Sequence, residues 1–399
     1  MAGHEFCPGQ YGAGMNLAIV TNILTPYRIP LFEAISRQVD RLSVLLMAET
    51  EENRDWILDA YRFDADVLPG FHLPIRGRET AVHMNYGVTE RLRRLNPDLV
   101  LSGGFAPANW GALLYCAKHR KPYLAWGELA LRSCAGGSRL RHGLRRLICG
   151  LSSGAIASSS EAKHVFMHYG IDEKDILLAP MPIDVDYVNS EVAACRAHPG
   201  FRDIKSRYPG PVLLSVARLI DAKGYPQLFD MYAEIVKTRP ETTLLVVGDG
   251  PERERYVNHI AARGWGNLHL VGHVQWRDLM TYYALADIVV FPSLADTFGA
   301  VIAEGMAAEL PVISSIHAAA TEDLIEEGKT GFVIDPLDIS GSIQTILKVL
   351  AMPEEELRRV GHEAFLRVRN IGIEGSARRM IEFFHSKVKP GASRAIRHR

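Results

Sequence analysis

The chain has 399 residues and a formal net charge of −1. That is enough for two α/β domains, and it gives no global basic field of the kind nucleic-acid binding requires. Five cysteines, at positions 7, 116, 134, 149 and 195, are odd in number and form no C-x-x-C pair, which points to reduced thiols in a cytosolic protein rather than a disulfide framework. No apolar run approaches the ~20 residues needed to span a bilayer. The leader MAGHEFCPGQYGAG lacks the basic flank and apolar stretch of a signal peptide and reads as a disordered segment before the first strand.

Taken in order, Asn16 to Thr21 is an apolar run of strand length, followed by the loop Asn22 to Arg28 and a helical pattern from Ile29 to Arg37. A strand–loop–helix unit at the start of a domain puts its loop at the carboxyl edge of a parallel sheet, where ligands bind. Tyr27 and Arg28 are therefore candidate ligand-binding residues, although capping and stacking on the helix accounts for them equally well. Arg41 to Met47 is a second strand, and the acidic run Glu49 to Asp66 reads as a solvated helix and loop. Val88 to Leu95 and Trp110 to Lys118 read as helices. Between them Asp98 to Ser102 is a strand ending in Gly103-Gly104, where backbone can approach a ligand.

Pro122 to Trp126 is the next strand, and Glu128 follows it. From Lys118 to Arg146 there are eight Lys/Arg (118, 120, 121, 132, 139, 141, 145, 146) against the single acid Glu128, with Leu140, Leu144, Leu147 and Ile148 at helical spacing. Two readings fit this stretch: an anionic membrane-surface patch, or a packed helix with a solvated basic face. Ala155 to Ser158 is a strand and Ser160 to Tyr169 a helix, with Ser160 as its expected cap. His164 and His168 have metal-pair spacing but no third ligand, so ordinary helix histidines are the better account. Ile176 to Leu178 closes a first domain spanning 15–186, and 187–210 is expected to be a linker.

Apolar strands alternate with helical patterns from 211 to 370, which argues for a parallel sheet covered on both faces. Val212 to Ala217 leads to Arg218 and Lys223. Thr243 to Val247 leads to Gly248-Asp249-Gly250. Ile288 to Phe291 leads through Asp296, Thr297, Phe298 and Gly299 into a helix carrying Glu304. A strand, a loop and a helix start leave free N–H groups and the positive end of a helix dipole at the loop, a natural place for phosphate.

The segments SVARLIDAKG, LLVVGDGPER, LVGHV, ADIVVFPSLADTFGAVIAEGMA, LPVISS and DLIEEGKTGFVIDPLD occur in one order over most of the C-terminal half. They resemble the nucleotide-sugar-binding domain of the family 4 retaining glycosyltransferases of the GT-B fold. PYRIPLFEAI near the N-terminus resembles the first unit of bacterial polysaccharide- and glycolipid-assembly members. The resemblance implies two Rossmann-like parallel-sheet domains facing a central cleft, with a C-terminal helix over 374–388 packing back on the first. It implies transfer of a hexose-type sugar from a nucleoside diphosphate sugar to a saccharide acceptor, lipid-linked in cell-surface polysaccharide or glycolipid synthesis, by a cytoplasmic protein peripheral on the inner face of the membrane.

Carried over residue by residue, Arg218 and Lys223 match the phosphate-binding pair, Glu304 the glutamate that grips the ribose, and Asp296 the residue that holds sugar hydroxyls. The family has glutamate at that last position, and aspartate is one methylene shorter, so the donor sugar must sit closer or a water must bridge. Glu128 takes the place of an acid or histidine facing the donor. Gly248, Gly250, Gly272, His273 and Val274 frame the base, and Thr297, Phe298 and Gly299 lead the phosphate-binding helix. Fixed cations and the helix dipole then neutralise the leaving diphosphate, and no metal or cofactor is expected. A D-x-D metal site at Asp64/Asp66 or Asp184/Asp186 is rejected, because the first triplet lies in an acidic loop and the second at the interdomain crossing. Two alternatives stay open, a non-catalytic nucleotide-sugar-binding subunit with Asp296 as its symptom and a nucleotide-sugar epimerase of the same architecture.

Overall fold

A computed structural model describes residues 14–50, 58, 60–73, 82–129 and 139–388. In the first half, β1 (Asn16–Thr21), β2 (Arg41–Leu46), β3 (Asp64–Val67), β6 (Leu99–Gly103), β7 (Tyr123–Gly127), β8 (Gly154–Ala157) and β9 (Ile176–Leu178) form a sheet in the order β3-β2-β1-β6-β7-β8-β9. Its strand pairs are parallel, as continuous apolar strands buried on both faces require. Side chains still alternate. Ala18 and Val20 face the helices α2 (Val88–Leu95) and α3 (Pro107–His119), whereas Leu17 and Ile19 face α1 (Ile29–Ser36). A separate antiparallel hairpin, β4 (Gly70–Leu73) with β5 (Val82–Asn85), was not apparent in the sequence pattern. Nor was β3. The stretch expected to be an acidic loop ends in this edge strand.

In the second half, β10 (Val212–Val216), β11 (Thr243–Val247), β12 (Leu268–Gly272), β13 (Ile288–Phe291), β14 (Val312–Ser315) and β15 (Phe332–Ile334) form a parallel sheet in the order β12-β11-β10-β13-β14-β15. Chain order reverses at β1/β6 in the first sheet and at β10/β13 in the second. In open α/β sheets the crevice beyond the carboxyl ends of such strands is where ligands bind.

The stretch 187–210 is not an extended linker. Most of it lies in two helices that complete the second domain, α6 (Val185–Ala197) and α7 (Phe201–Lys205). Val185, Val188 and Val192 lie in the core with Leu214 and Val289, and Lys205 donates to the Leu285 carbonyl and to Asp287 at 2.6 and 2.9 Å. The last helix, α15 (Ile373–Val388), packs against α1. Ala377, Met380, Ile381 and Phe384 share a core with Leu17 and Phe32, and Lys387 pairs with Asp175 at 2.8 Å.

The helix after β8, α5 (Ser160–His168), is capped by Ser159, whose side chain accepts from the Ala162 N–H at 3.0 Å, and not by Ser160 as expected. Ser160 bridges the domains instead. Its N–H donates to Asp323 Oδ2 at 2.9 Å and its hydroxyl to Oδ1, from the end of α12 (Ala319–Leu324).

Candidate functional site

The loops after β10, β11, β12 and β13 are joined by backbone hydrogen bonds at the switch point of the second sheet. Leu294 and Ala295 N–H both donate to the Ala222 carbonyl, Leu219 N–H to Asp249, and Gly248 N–H to Gly272 at 2.8 Å. Two glycines make this approach possible. Gly224 has φ +73°, and a Cβ there would stand 1.9 Å from the Pro292 carbonyl oxygen; at Gly248, φ +143°, a Cβ would stand 2.0 Å from that of Ala217. No other residue fits such contacts.

This packing sets Lys223 beside Asp296. Lys223 Nζ lies 2.8 Å from Asp296 Oδ2, with the two side chains 13% and 17% exposed. Asp296 Oδ1 accepts the Phe298 N–H at 3.0 Å. Helix α11 (Ala300–Ala307) therefore begins three residues later than Thr297, behind Gly299 as N-cap with no side-chain cap. Phe298 is buried in the core and Thr297 is half-buried above it. Arg218 is half-buried and makes no side-chain hydrogen bond or ion pair among the described residues. The structure thus gathers one paired cation, one free cation and an uncapped helix N-terminus at the strand switch.

Glu304 is placed differently from expectation. It is 7% exposed, and its carboxylate accepts from Trp276 Nε1 at 3.1 Å and Tyr283 Oη at 2.7 Å. Burial pushes its pKa above the ordinary carboxylate value, and the two hydrogen bonds oppose that push without cancelling it. Tyr283 comes from α10 (Leu279–Leu285); Trp276 stacks on Tyr187 of α6 at 5.0 Å. These partners were missed in the sequence. The only signal is general: buried indole N–H and phenol O–H groups need acceptors, and the nearest buried acid is one. Gly250 packs under Leu219, His273 is exposed with its ring 3.4 Å from Gln275 Nε2, and Val274 packs against the core.

In the first domain, Arg28 and Glu128 meet at the carboxyl ends of β1 and β7. Arg28 Nη2 donates to Glu128 Oε1 at 2.6 Å and Nη1 to Thr21 Oγ1 at 3.0 Å, and the guanidinium lies over the Trp126 ring at 4.8 Å. Burial disfavours the Arg28 charge, but Glu128 and Tyr27 outweigh it and raise its pKa. Tyr27 lies against the same guanidinium at 6.0 Å. A continuous path joins this pair to the second domain. Gly127 accepts from Ser158; Ser160 binds Asp323; Ala319 and Ala320 N–H donate to Asp296 and Phe298.

The D-x-D triplets are used structurally. Asp64 and Asp66 sit on β3 in ion pairs with Arg41 and Arg91, and Asp184 caps α6 through the Tyr187 N–H at 3.0 Å. His164 and His168 are exposed on α5. Among the described residues no group of three or more His, Cys, Asp or Glu is placed to hold a metal ion, and Cys116 and Cys195 are free thiols.

Residues 201–366 match the family model for glycosyl transferases group 1. Solved structures with the same architecture include Anabaena HepE in complex with UDP and glucose (TM-score 0.71, 19% identity, 93% of this chain and 100% of that one) and sucrose-phosphate synthase of Thermosynechococcus elongatus (TM-score 0.72, 18% identity, 93% and 98%). The fold is GT-B. Sequence relatives include a sulfoquinovosyl transferase of Arabidopsis thaliana (29% identity over 157 residues, 39% of this chain and 29% of that protein) and a Staphylococcus aureus capsular polysaccharide biosynthesis glycosyltransferase (30% over 159 residues, 39% and 40%). The aligned segments thus span less than half of these relatives' length. The family-model match, residues 201–366, covers the half of the fold that carries Arg218, Lys223, Asp296 and Glu304.

Proposed function

We propose that this chain is a retaining glycosyltransferase that moves a hexose-type sugar from a nucleoside diphosphate sugar to a saccharide acceptor. The observation that carries the reading is the set of Arg218, Lys223 and the uncapped start of α11 at the switch point of the second sheet. A diphosphate placed there meets two cations and a helix dipole, which stabilise the charge that grows on the leaving phosphate and take the part a divalent metal plays elsewhere. The neighbouring Asp296 carboxylate is placed for sugar hydroxyls, and Glu304, fixed by Trp276 and Tyr283, for the ribose. HepE crystallised with UDP supports a uridine nucleotide as the first donor to try.

In the same-face mechanism of family 4, the bond from the anomeric carbon to the phosphate oxygen breaks as the acceptor oxygen bonds on that face. The acceptor proton passes to the leaving phosphate. Tyr27 and Arg28 line the acceptor side, and Arg28 holds in place the Glu128 carboxylate that faces the donor sugar. A lipid-linked acceptor and contact with an anionic membrane through 118–146 at the inner face of the cell membrane complete the reading.

The test is a panel of nucleoside diphosphate sugars, scored for binding and for sugar transfer to saccharide acceptors with EDTA present. Transfer that survives chelation supports the whole proposal. Activity lost to EDTA and restored by Mn²⁺ would show that the cations and dipole are insufficient. Isomerised nucleotide sugar formed without acceptor would make the chain an epimerase.

A further inference from the structure

Helix α4 (Arg139–Leu151) turns its apolar stripe away from the protein. Leu140, Leu144, Leu147 and Leu151 recur at spacings of 4, 3 and 4, which places them on one line of a helix. They are 40–72% exposed. The opposite face does the packing: Ile148 and Cys149 are buried, His142 Nδ1 meets Tyr169 Oη at 2.9 Å, and Arg145 lies over the Phe105 ring at 5.4 Å. The helix is packed on one side and its basic residues are solvated, as one of the two readings has it, but its leucines are solvated as well, and Arg145 leaves the surface patch. At about 100° per residue, Arg141 lies about 90° to one side of the leucine stripe, and Arg139 and Arg146 lie about 110° and about 130° to the other; all three are exposed. From 129 to 160 the sequence contains no Asp or Glu.

Neighbouring elements also carry exposed apolar side chains. α3 touches both α4 and β5, and its Leu114 is exposed; on the hairpin, Phe71 pairs across from Met84, with Leu73 on the same face, all three exposed. A soluble helix with its leucines outward and arginines at the rim matches an interfacial helix, in which apolar side chains enter the acyl boundary and cations meet anionic headgroups. A second copy of the chain fits the stripe less well. Two-fold pairing through the stripe would place a set of arginines from each copy beside the interface, and the helix offers no acid to meet them.

We propose that α4 docks this protein on an anionic lipid surface by inserting the Leu140/Leu144/Leu147/Leu151 stripe, with Arg139, Arg141 and Arg146 at the headgroups. This rests on the proposed transfer reaction in one respect: α4 belongs to the first domain, which carries the acceptor-side Tyr27 and Arg28, so a lipid-carried acceptor anchored in that surface is met on the acceptor side. The docking is independent of turnover. It differs from purely electrostatic attachment in one measurable way, because inserted leucines hold at high salt.

The experiment is co-sedimentation of the full chain with vesicles of phosphatidylglycerol and phosphatidylcholine, or of phosphatidylcholine alone, at low salt and at about 1 M salt, where the Debye length is about 3 Å. Wild type should prefer the anionic vesicles at low salt and remain partly bound at high salt. Leu144→Gln with Leu147→Gln should lower partitioning at high salt by about ten-fold or more, because two long apolar side chains no longer enter the bilayer. Arg139→Glu with Arg146→Glu should abolish the preference for anionic vesicles. All these positions are exposed, and UDP binding, measured on every variant, should be unchanged. If no variant binds any nucleotide, the donor reading fails and the vesicle result still stands. Complete release of wild type at high salt, or a leucine variant that binds like wild type, overturns the proposal. So does a wild-type dimer that the leucine substitutions convert to monomer, since the occupant of the stripe is then a second copy.

Discussion

Asp296→Asn should make the protein bind nucleoside diphosphate more tightly while making the fold less stable. Asparagine keeps an oxygen for the Phe298 N–H, so the turn into α11 survives, and only the charge facing Lys223 is removed. That pair is 2.8 Å long with side chains 13% and 17% exposed. An exposed pair contributes about 0.2–1 kcal/mol, and removing one partner of a fully buried pair costs about 3–5 kcal/mol. The Lys223–Asp296 contact falls between these, at about 1–2 kcal/mol. A diphosphate that draws on Lys223 must give up or share this contact in the wild type but not in the variant. Affinity for UDP should therefore rise about 5- to 30-fold, since each 1.4 kcal/mol is about ten-fold. Without ligand the lone Lys223 charge should lower the unfolding temperature by about 2–8 °C. Sugar transfer should fall, because the carboxylate for the donor hydroxyls is gone. Titration calorimetry with UDP and thermal unfolding with and without UDP read the two effects separately. An unchanged or weaker UDP affinity would refute the competition and with it the role of Lys223 as a phosphate ligand.

Alanine at Arg218 or Lys223 should lower turnover by roughly 10²-fold or more, as loss of one preorganised donor to a developing anion does elsewhere, and wild-type kcat in both would end their assignment. Glu304→Gln should weaken UDP binding by about ten-fold or more, as befits loss of a charged hydrogen-bond acceptor; normal affinity would free Glu304 of any ligand role. The same variant carries a pH signature. The Glu304 pKa is raised in the folded state, so the native protein holds that proton more tightly than the unfolded chain. Its stabilising contribution is present below the ordinary carboxylate pKa of 4.5 and is lost as pH rises through the raised value. Glutamine does not ionise, so the unfolding temperature of the variant relative to wild type should increase from acid to neutral pH; a difference independent of pH would contradict the burial of an ionisable Glu304. Asp296→Glu should leave UDP affinity near wild type and change the preference among donor sugars, measured as kcat/KM across the donor panel.

Much of the molecule was legible in the chain because its signals are local. Apolar runs of strand length gave β1, β2, β10, β11 and β13, and periodic helices between them required parallel sheets. Arg218, Lys223, Asp296 and Gly299 stood out because loops between such strands and helices reach the carboxyl edge of a sheet wherever the sheet closes. Tertiary structure decided the rest. The Lys223–Asp296 ion pair joins residues far apart in sequence and depends on how closely two loops pass, which Gly224 and Gly248 permit. Glu304 was placed correctly on its helix, but its burial depends on Trp276 and Tyr283 arriving from α10 and the turn before it. The stretch 187–210 looked like a linker because its apolar residues are sparse, yet Val188 and Val192 complete a core that only the assembled sheet creates. Helical spacing in α4 set the leucines in a line but could not set the direction of that line. Periodicity fixes which residues share a face, whereas which face meets the core depends on the neighbours, and here Tyr169 and Phe105 claim the other side.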